Sequence, residues 1–239
     1  MKRAYFVTGT DTDAGKTVAT CALLAALTAQ GQVARGFKPL ETDCLPDGQG
    51  GWLPGRDARR LAAACGGSIA DASWACLPEP LAPSESARRA GIPLDLGAAL
   101  AAIDERVSRP GWTLVEGAGG LFVPLDDRRT WIDVLERTRL PTLIVAGNKL
   151  GVLNHALLTL DALRRRDLEI LGIVLGEPSA DPPSVARQTN LAVLRRWAAP
   201  APVIPLGHVP SEAHEDLAAA GDPLVRALGL LDIPPEPPG

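Results

Sequence analysis

An apolar run, Ala4–Thr8, opens directly into Gly9-Thr10-Asp11-Thr12-Asp13-Ala14-Gly15-Lys16-Thr17, and a helical apolar pattern follows over Lys16–Gln30. No other feature constrains the fold as strongly. A strand that turns through glycines into a helix lets successive backbone N–H groups converge on phosphate oxygens. The helix N-terminus adds the positive end of its dipole. In such a loop Lys16 reaches the β and γ phosphates and the Thr17 hydroxyl ligates Mg²⁺, while Asp13, Ala14, Gly15 and Val18 complete the nucleotide contact. The usual spacing puts four residues between the first glycine and the Gly-Lys-Thr; here five intervene. The spacing weakens the motif taken alone, and the strand–loop–helix context restores it.

Beyond this loop, short apolar runs alternate with longer amphipathic stretches, the pattern of βαβ units. Strands are expected at Ala4–Thr8, Val33–Phe37, Thr113–Val115, Pro141–Ala146, Ile170–Leu175 and Val203–Ile204. Helices are expected at Lys16–Gln30, Arg56–Ala64, Gly97–Val107, Trp131–Arg137, Gly151–Arg166, Pro183–Ala198 and His214–Leu228. The Pro/Gly-rich stretches Leu45–Gly55 and Leu77–Pro83 read as loops. The fold class is therefore α/β, a P-loop NTPase-like, mostly parallel sheet with helices on both faces. It forms one domain over residues 1–232, with a Pro-rich tail at 233–239 expected to be disordered. Such a sheet binds ligands at the carboxyl ends of its strands.

The bulk numbers exclude several classes. A net charge of −4 over 239 residues gives no basic face for nucleic acid. The Arg164-Arg165-Arg166 run reads as the solvated end of a helix, where cations suit the dipole. No apolar run approaches the ~18 residues of a membrane span. Cys21, Cys44, Cys65 and Cys76 include no C-x-x-C pair and no histidine at metal-ligand spacing. Cys21 reads as a small buried hydrophobe. A strand beginning by residue 4 leaves no room for a signal peptide, and the expected setting is a reducing cytoplasm.

Of the 24 Lys and Arg residues, only Lys2, Lys16, Lys38 and Lys149 are lysines. In an Arg-rich chain an internal lysine suggests a site where a guanidinium would not serve. Lys38, at the end of the second expected strand and just before Pro39, points to the carboxyl edge, where a fixed ammonium can stabilise a moving phosphoryl group. Glu116 ends another expected strand and precedes Gly117-Ala118-Gly119-Gly120, so its carboxylate can hold the metal while the glycines let backbone approach a ligand. Asp57 opens a helix and reads either as a dipole partner or as a metal ligand. The segment Lys149-Leu150-Gly151-Val152-Leu153-Asn154-His155 opens a long helix whose free N–H groups can hold a carboxylate. His155 and His214 read as packing or flanking residues.

At these residues the chain resembles dethiobiotin synthases. The resemblance rests on Tyr5 through Thr17, on Lys38-Pro39, on Val115-Glu116-Gly117-Ala118-Gly119-Gly120, and on Leu150-Gly151 through Asn154-His155-Ala156-Leu157-Leu158-Thr159. The segments occur in the family's order over nearly the whole chain, and the five-residue loop spacing is itself a family trait. The resemblance implies a C–N-forming ligase of biotin biosynthesis that joins CO₂ (or bicarbonate) to 7,8-diaminononanoate and closes a cyclic urea. ATP or another nucleoside triphosphate drives it with Mg²⁺, through a carbamate and a carbamic–phosphoric anhydride. Thr17, Asp57 and Glu116 are then metal ligands. Lys16 and Lys38 flank the transferring phosphate, and Thr12 and Thr42 contact the carbamate end of the substrate. Leu150, Gly151 and Asn154 hold the substrate's distal carboxylate from the neighbouring subunit, so a homodimer with shared sites is implied. Gly117, Ala118, Gly119, Gly176, Glu177, Gly207, His208, Val209 and Pro210 are implied nucleotide contacts.

Two departures stand out. Gly176 occupies the place where the family often has an adenine-reading asparagine, which opens the choice between ATP, CTP and other triphosphates. Ser84 stands where many relatives carry histidine. Partition-type switch ATPases are the nearest rival reading, but they carry an early loop lysine where this chain has Thr10-Asp11. Amide-forming synthetases of cobalamin assembly need a glutaminase domain that does not appear before Gly239. A catalytically dead relative would lack polar residues that this chain keeps.

Overall fold

The computed structural model describes residues 3–231; the expected tail, 233–239, lies outside them. Seven strands form one sheet: β1 (Ala4–Gly9), β2 (Ala34–Glu41), β3 (Ser73–Cys76), β4 (Trp112–Gly120), β5 (Thr142–Gly147), β6 (Ile170–Gly176) and β7 (Val203–Leu206). Their order is β3-β2-β4-β1-β5-β6-β7, and every pairing is parallel. Eight helices connect them: α1 (Lys16–Ala29), α2 (Arg56–Cys65), α3 (Pro83–Ala90), α4 (Leu96–Ser108), α5 (Trp131–Thr138), α6 (Val152–Arg164), α7 (Val185–Ala198) and α8 (His214–Ala227).

Side chains alternate across the sheet with the strand period of two. Phe6, Val115, Ile144 and Ile173 point to one face, where they pack with residues of α4 to α7. Their neighbours Tyr5, Val7, Leu114, Leu143, Val145 and Val174 point to the other, against α1, α2 and α8. The continuous apolar runs of the central strands follow from burial on both faces. On the second face the contact of α8 with α1 is close: a Cβ on Gly221 would lie 1.9 Å from the Ala22 carbonyl oxygen, so only glycine fits there.

Two strands run further than the apolar runs suggest, and this corrects the placement of two site residues. Lys38 and Glu116 do not end their strands; they lie within β2 and β4. β2 pairs with β4 over Ala34–Phe37 and then passes to β3, where Lys38 is opposite Ser73 and Leu40 opposite Ala75. Pro39, which has no N–H to give, sits where the pairing changes partner. β3 and α3 were not expected. The four-residue β3 is half-buried throughout, and α3 begins with Pro83 directly after the expected loop Leu77–Pro83.

Candidate active site

The loop from β1 turns sharply enough that Asp13 and Gly15 both take positive φ, 55° and 90°. Gly15 is the left-handed N-cap of α1 and offers no side-chain cap, so the first N–H groups of α1 remain for an anion. Lys16 folds back over the loop, its Nζ donating to the Asp11 carbonyl at 3.2 Å.

Behind the loop is a knot of buried charge. Glu116 on β4 is fully buried. Its Oε1 accepts from the Thr17 hydroxyl at 2.7 Å and from Lys38 Nζ at 3.1 Å, and its Oε2 accepts from the Thr20 hydroxyl at 2.7 Å. Lys38 Nζ also donates to the Asp57 carboxylate at the start of α2. Burial alone would push Lys38 down, but the carboxylates of Glu116 and Asp57 overcome it and hold the ammonium above the ordinary lysine value. Burial pushes the Asp57 carboxyl up, and Lys38 more than reverses this, keeping it below the usual carboxylate range. Lys16 goes the other way: desolvation lowers it more than Glu116 raises it, and Lys38 adds to the lowering. Two lysines on one phosphate-facing site are thus tuned in opposite directions.

Lys16, Thr17, Lys38 and Asp57 border a cavity of about 360 Å³, whereas Glu116 lies buried behind its wall and does not border it. Its wall brings together Thr12, Asp13, Gly15, Lys16, Thr17, Val18, Lys38, Thr42, Asp57, Ala118 and Gly119, with Glu41, Arg56 and Arg60 in addition. A second cavity, about 450 Å³, shares Asp13, Gly15, Val18 and Arg60 with the first and continues past Ala14 to Gly176, Glu177, Gly207, His208, Val209 and Pro210. Here Glu177 is fully engaged: Oε1 accepts from Asn148 Nδ2 at 2.6 Å and Oε2 from the Arg187 guanidinium at 2.5 and 2.8 Å. Gly117 lies within β4 beneath the first cavity, where a Cβ would meet the Phe6 ring at 2.8 Å.

Leu150, Gly151 and Asn154 border neither cavity. They sit at the start of α6, with Leu150 87% exposed. The next turn, His155, Leu158 and Thr159, borders a third cavity with Thr10–Thr12 and the segment from Gly120 to Pro124. His155 Nδ1 is buried there without a hydrogen-bond partner among the described residues. His214 opens α8 with its Nε2 3.1 Å from the Thr28 hydroxyl. Lys149 pairs with Asp11 at 3.1 Å. Ser84, the second residue of α3, donates its N–H to the Pro124 carbonyl at 3.3 Å.

For a metal, the donors near the phosphates are the Thr17 hydroxyl and the carboxylates of Asp57 and Glu116. This all-oxygen set fits a small hard cation such as Mg²⁺, which takes one or two carboxylates and completes its shell with phosphate oxygens and water. No group of three or more His, Cys, Asp or Glu side chains placed to hold a metal occurs among the described residues.

Glu41, Arg56 and Arg60 are the cavity residues that the sequence reading missed, and Glu41 is the buried one. It is buried at the end of β2 and accepts N–H bonds from Gly55, Asp57 and Ala58. The available signal was a helix beginning after Pro54-Gly55 with no capping side chain of its own.

Comparison with known proteins agrees with this layout. A family model described as an AAA domain matches residues 3–217. ATP-dependent dethiobiotin synthetase BioD 1 of Escherichia coli is 36% identical over 238 residues, covering 95% of this chain and all of that one. The BioD enzyme of Anaeromyxobacter sp. strain Fw109-5 is 40% identical over 215 residues, covering 87% and 91%. That of Anaeromyxobacter dehalogenans is 42% identical over 189 residues, covering 75% and 80%. Among solved structures, the cell division ATPase MinD of Pyrococcus furiosus superposes with a TM-score of 0.54 at 16% identity, covering 95% of this chain and all of that one. A ParA family ATPase of Chlorobium tepidum gives 0.53 at 15%, covering 95% and 91%. The latter two share the fold alone. Identity above a third, spread over most of both chains, places this protein in the ATP-dependent dethiobiotin synthetase family of ligases.

Proposed function

We propose that the protein closes the cyclic urea of dethiobiotin from 7,8-diaminononanoate and CO₂, driven by a nucleoside triphosphate. The observation that carries this is the gathering of Lys16, Thr17, Lys38 and Asp57 on the wall of one cavity, with Glu116 buried behind Thr17 and Lys38; that cavity is continuous through Asp13 and Gly15 with a second cavity large enough for a nucleoside.

One amine of the substrate adds to CO₂ and loses a proton, giving a carbamate. A carbamate oxygen takes the γ-phosphoryl group, so that the diphosphate leaves and a mixed anhydride forms. The second amine attacks the carbamate carbon; the new C–N bond forms as the C–O bond to phosphate breaks and inorganic phosphate departs. Protein chemistry in such a transfer is mainly positioning and charge neutralisation. The N-terminus of α1 and Lys16 hold the phosphates. Lys38, kept protonated by Glu116 and Asp57, offers its charge to the carbamate oxygen and the moving phosphoryl group. Thr12 and Thr42, on the cavity wall, bind the carbamate end. Bound by Thr17, Asp57 and Glu116, Mg²⁺ would neutralise β and γ phosphate oxygens.

The distal carboxylate is assigned to Leu150, Gly151 and Asn154 of a second copy, in a homodimer. Their separation from the phosphate cavity within one chain supports that assignment, as does the exposed apolar surface at Leu150, Phe122 and Leu158. Four free thiols suit a reducing cytoplasm.

The test combines 7,8-diaminononanoate, bicarbonate, Mg²⁺ and ATP or CTP, following the diphosphate and the mass of the cyclic urea together. The expected outcome is stoichiometric urea and diphosphate, abolished in Lys38→Ala. Triphosphate hydrolysis without urea would overturn the proposal.

A further inference from the structure

Helix α2 delivers Asp57 to the phosphate cavity, yet its own N-terminus has no local cap, because the N-cap residue is Gly55. Uncapped N–H groups at a buried helix start are costly. Here they are met from another element. Glu41 Oε1 accepts from the Asp57 N–H at 2.7 Å and the Ala58 N–H at 3.2 Å, and Oε2 accepts from the Gly55 N–H at 3.0 Å. Glu41 is only 3% exposed, and the fit is tight: a Cβ on Gly55 would lie 2.5 Å from the Glu41 carboxyl carbon.

The connection is geometric. Glu41 and Lys38 belong to the same strand, three residues apart, and Asp57 bonds to both, through its amide to Glu41 and through its carboxylate to Lys38. Lys38 in turn holds Glu116 on the neighbouring strand. Strand, helix and carboxylates thus form a closed ring in which Glu41 sets where the first turn of α2 sits. An ordinary N-cap would stabilise the helix without tying it to β2, whereas a cap reaching from β2 fixes Asp57 against Lys38 and Glu116.

We infer that Glu41 is a positioning residue that holds Asp57 in register with Lys38 and Glu116, so that the divalent cation and the triphosphate bind together. This inference rests on the assignment of Asp57 as a metal ligand in the proposed function.

The test is Mn²⁺ binding, followed by the loss of its free-ion spin-resonance signal, with and without a non-hydrolysable ATP analogue. It compares the unsubstituted protein, Glu41→Gln and Glu41→Ala. The Gln side chain keeps a carbonyl oxygen facing the amides and serves as the conservative rescue. In the presence of the analogue, Glu41→Ala is expected to weaken Mn²⁺ binding about tenfold, and Glu41→Gln to stay within about threefold of the unsubstituted protein, with melting temperatures measured alongside. Unchanged Mn²⁺ affinity in a Glu41→Ala protein that has only lost thermal stability would reduce Glu41 to a helix cap and overturn the inference. If Glu41→Ala does not fold, Glu41→Asp decides, since the shorter carboxylate keeps the charge but draws back from the amides; unaltered affinity there overturns the inference equally. No nucleotide-dependent Mn²⁺ binding by the unsubstituted protein would instead sink the metal assignment beneath it.

Discussion

The two cavities that meet at the phosphate loop are made of different material. The one below the loop is walled by charged side chains from β2 and the helices α1 and α2, with Lys38 on its wall and Glu116 behind it almost wholly removed from water. The one beyond it is bordered by the turn at 176–178 and the loop 206–212, with Val18, Arg60 and Leu217. Of its carboxylates, Glu177 spends both oxygens on Asn148 and Arg187. A buried charge network is rigid and intolerant, because each member leaves another unpaired when removed. A wall of loop residues outside such a network changes little when any one side chain goes. Substitutions below the loop should therefore act on turnover and folding together, and those beyond it on nucleotide affinity alone.

The sharpest break of that contrast is Glu116→Ala. It removes the carboxylate that accepts from the Thr17 and Thr20 hydroxyls and one of the two carboxylates that balance Lys38. Breaking a buried pair from one side costs about 3–5 kcal/mol, so urea unfolding should show an unfolding free energy lower by about that amount, with turnover lost as well. A variant with normal stability would mean that the network is not a mechanical unit.

Lys16 separates the two effects. Its charge is disfavoured in the folded protein, since desolvation outweighs Glu116. Lys16→Met should accordingly leave stability without nucleotide undiminished while turnover falls about 10²–10³-fold, the scale for removing one electrostatic contact to a transition state. The sign of the pH effect follows. A lowered lysine value means that the cation is lost at lower pH than usual, so kcat/KM, which reports the free enzyme, should decline on the alkaline side below the ordinary lysine range. Lys38, which is raised, should contribute no limb there. A profile flat to the ordinary lysine value would place Lys16 in a more polar setting.

Most of the lower cavity could be read from the chain because each of its groups is a side chain with a chemical reason to be where it is. The loop glycines, Lys16, Lys38, Asp57 and Glu116 were all identified before any contact was known. Legibility stopped where position depends on tertiary pairing. The extensions of β2 and β4 are polar or glycine-rich, so no apolar run marks them, and their strand geometry comes from neighbouring strands. β3 has only Ser73–Cys76 and pairs with one strand, too short for periodicity to register. Glu41 was hidden because its partners are backbone amides 14 to 17 residues ahead, and no side-chain pattern records them.

The smallest expected effects sharpen the contrast from the other side. Glu177 and Arg187 brace the strand-end turn that bounds the second cavity. Glu177→Gln should loosen that brace by about one hydrogen bond, about 1 kcal/mol, which raises the nucleotide KM about fivefold with kcat unchanged. His208, by contrast, is exposed and makes no hydrogen bond among the described residues that braces the wall, so His208→Ala should move KM less than twofold for ATP and CTP alike. The order of the two variants is what decides. A half-buried brace that acts at a distance from the base should matter more than an exposed ring beside it if the shape of the loops forms the recognition surface. Should His208→Ala prove the more damaging, and damage one nucleotide more than the other, the base is read by a side chain, and the two cavities work by the same principle after all.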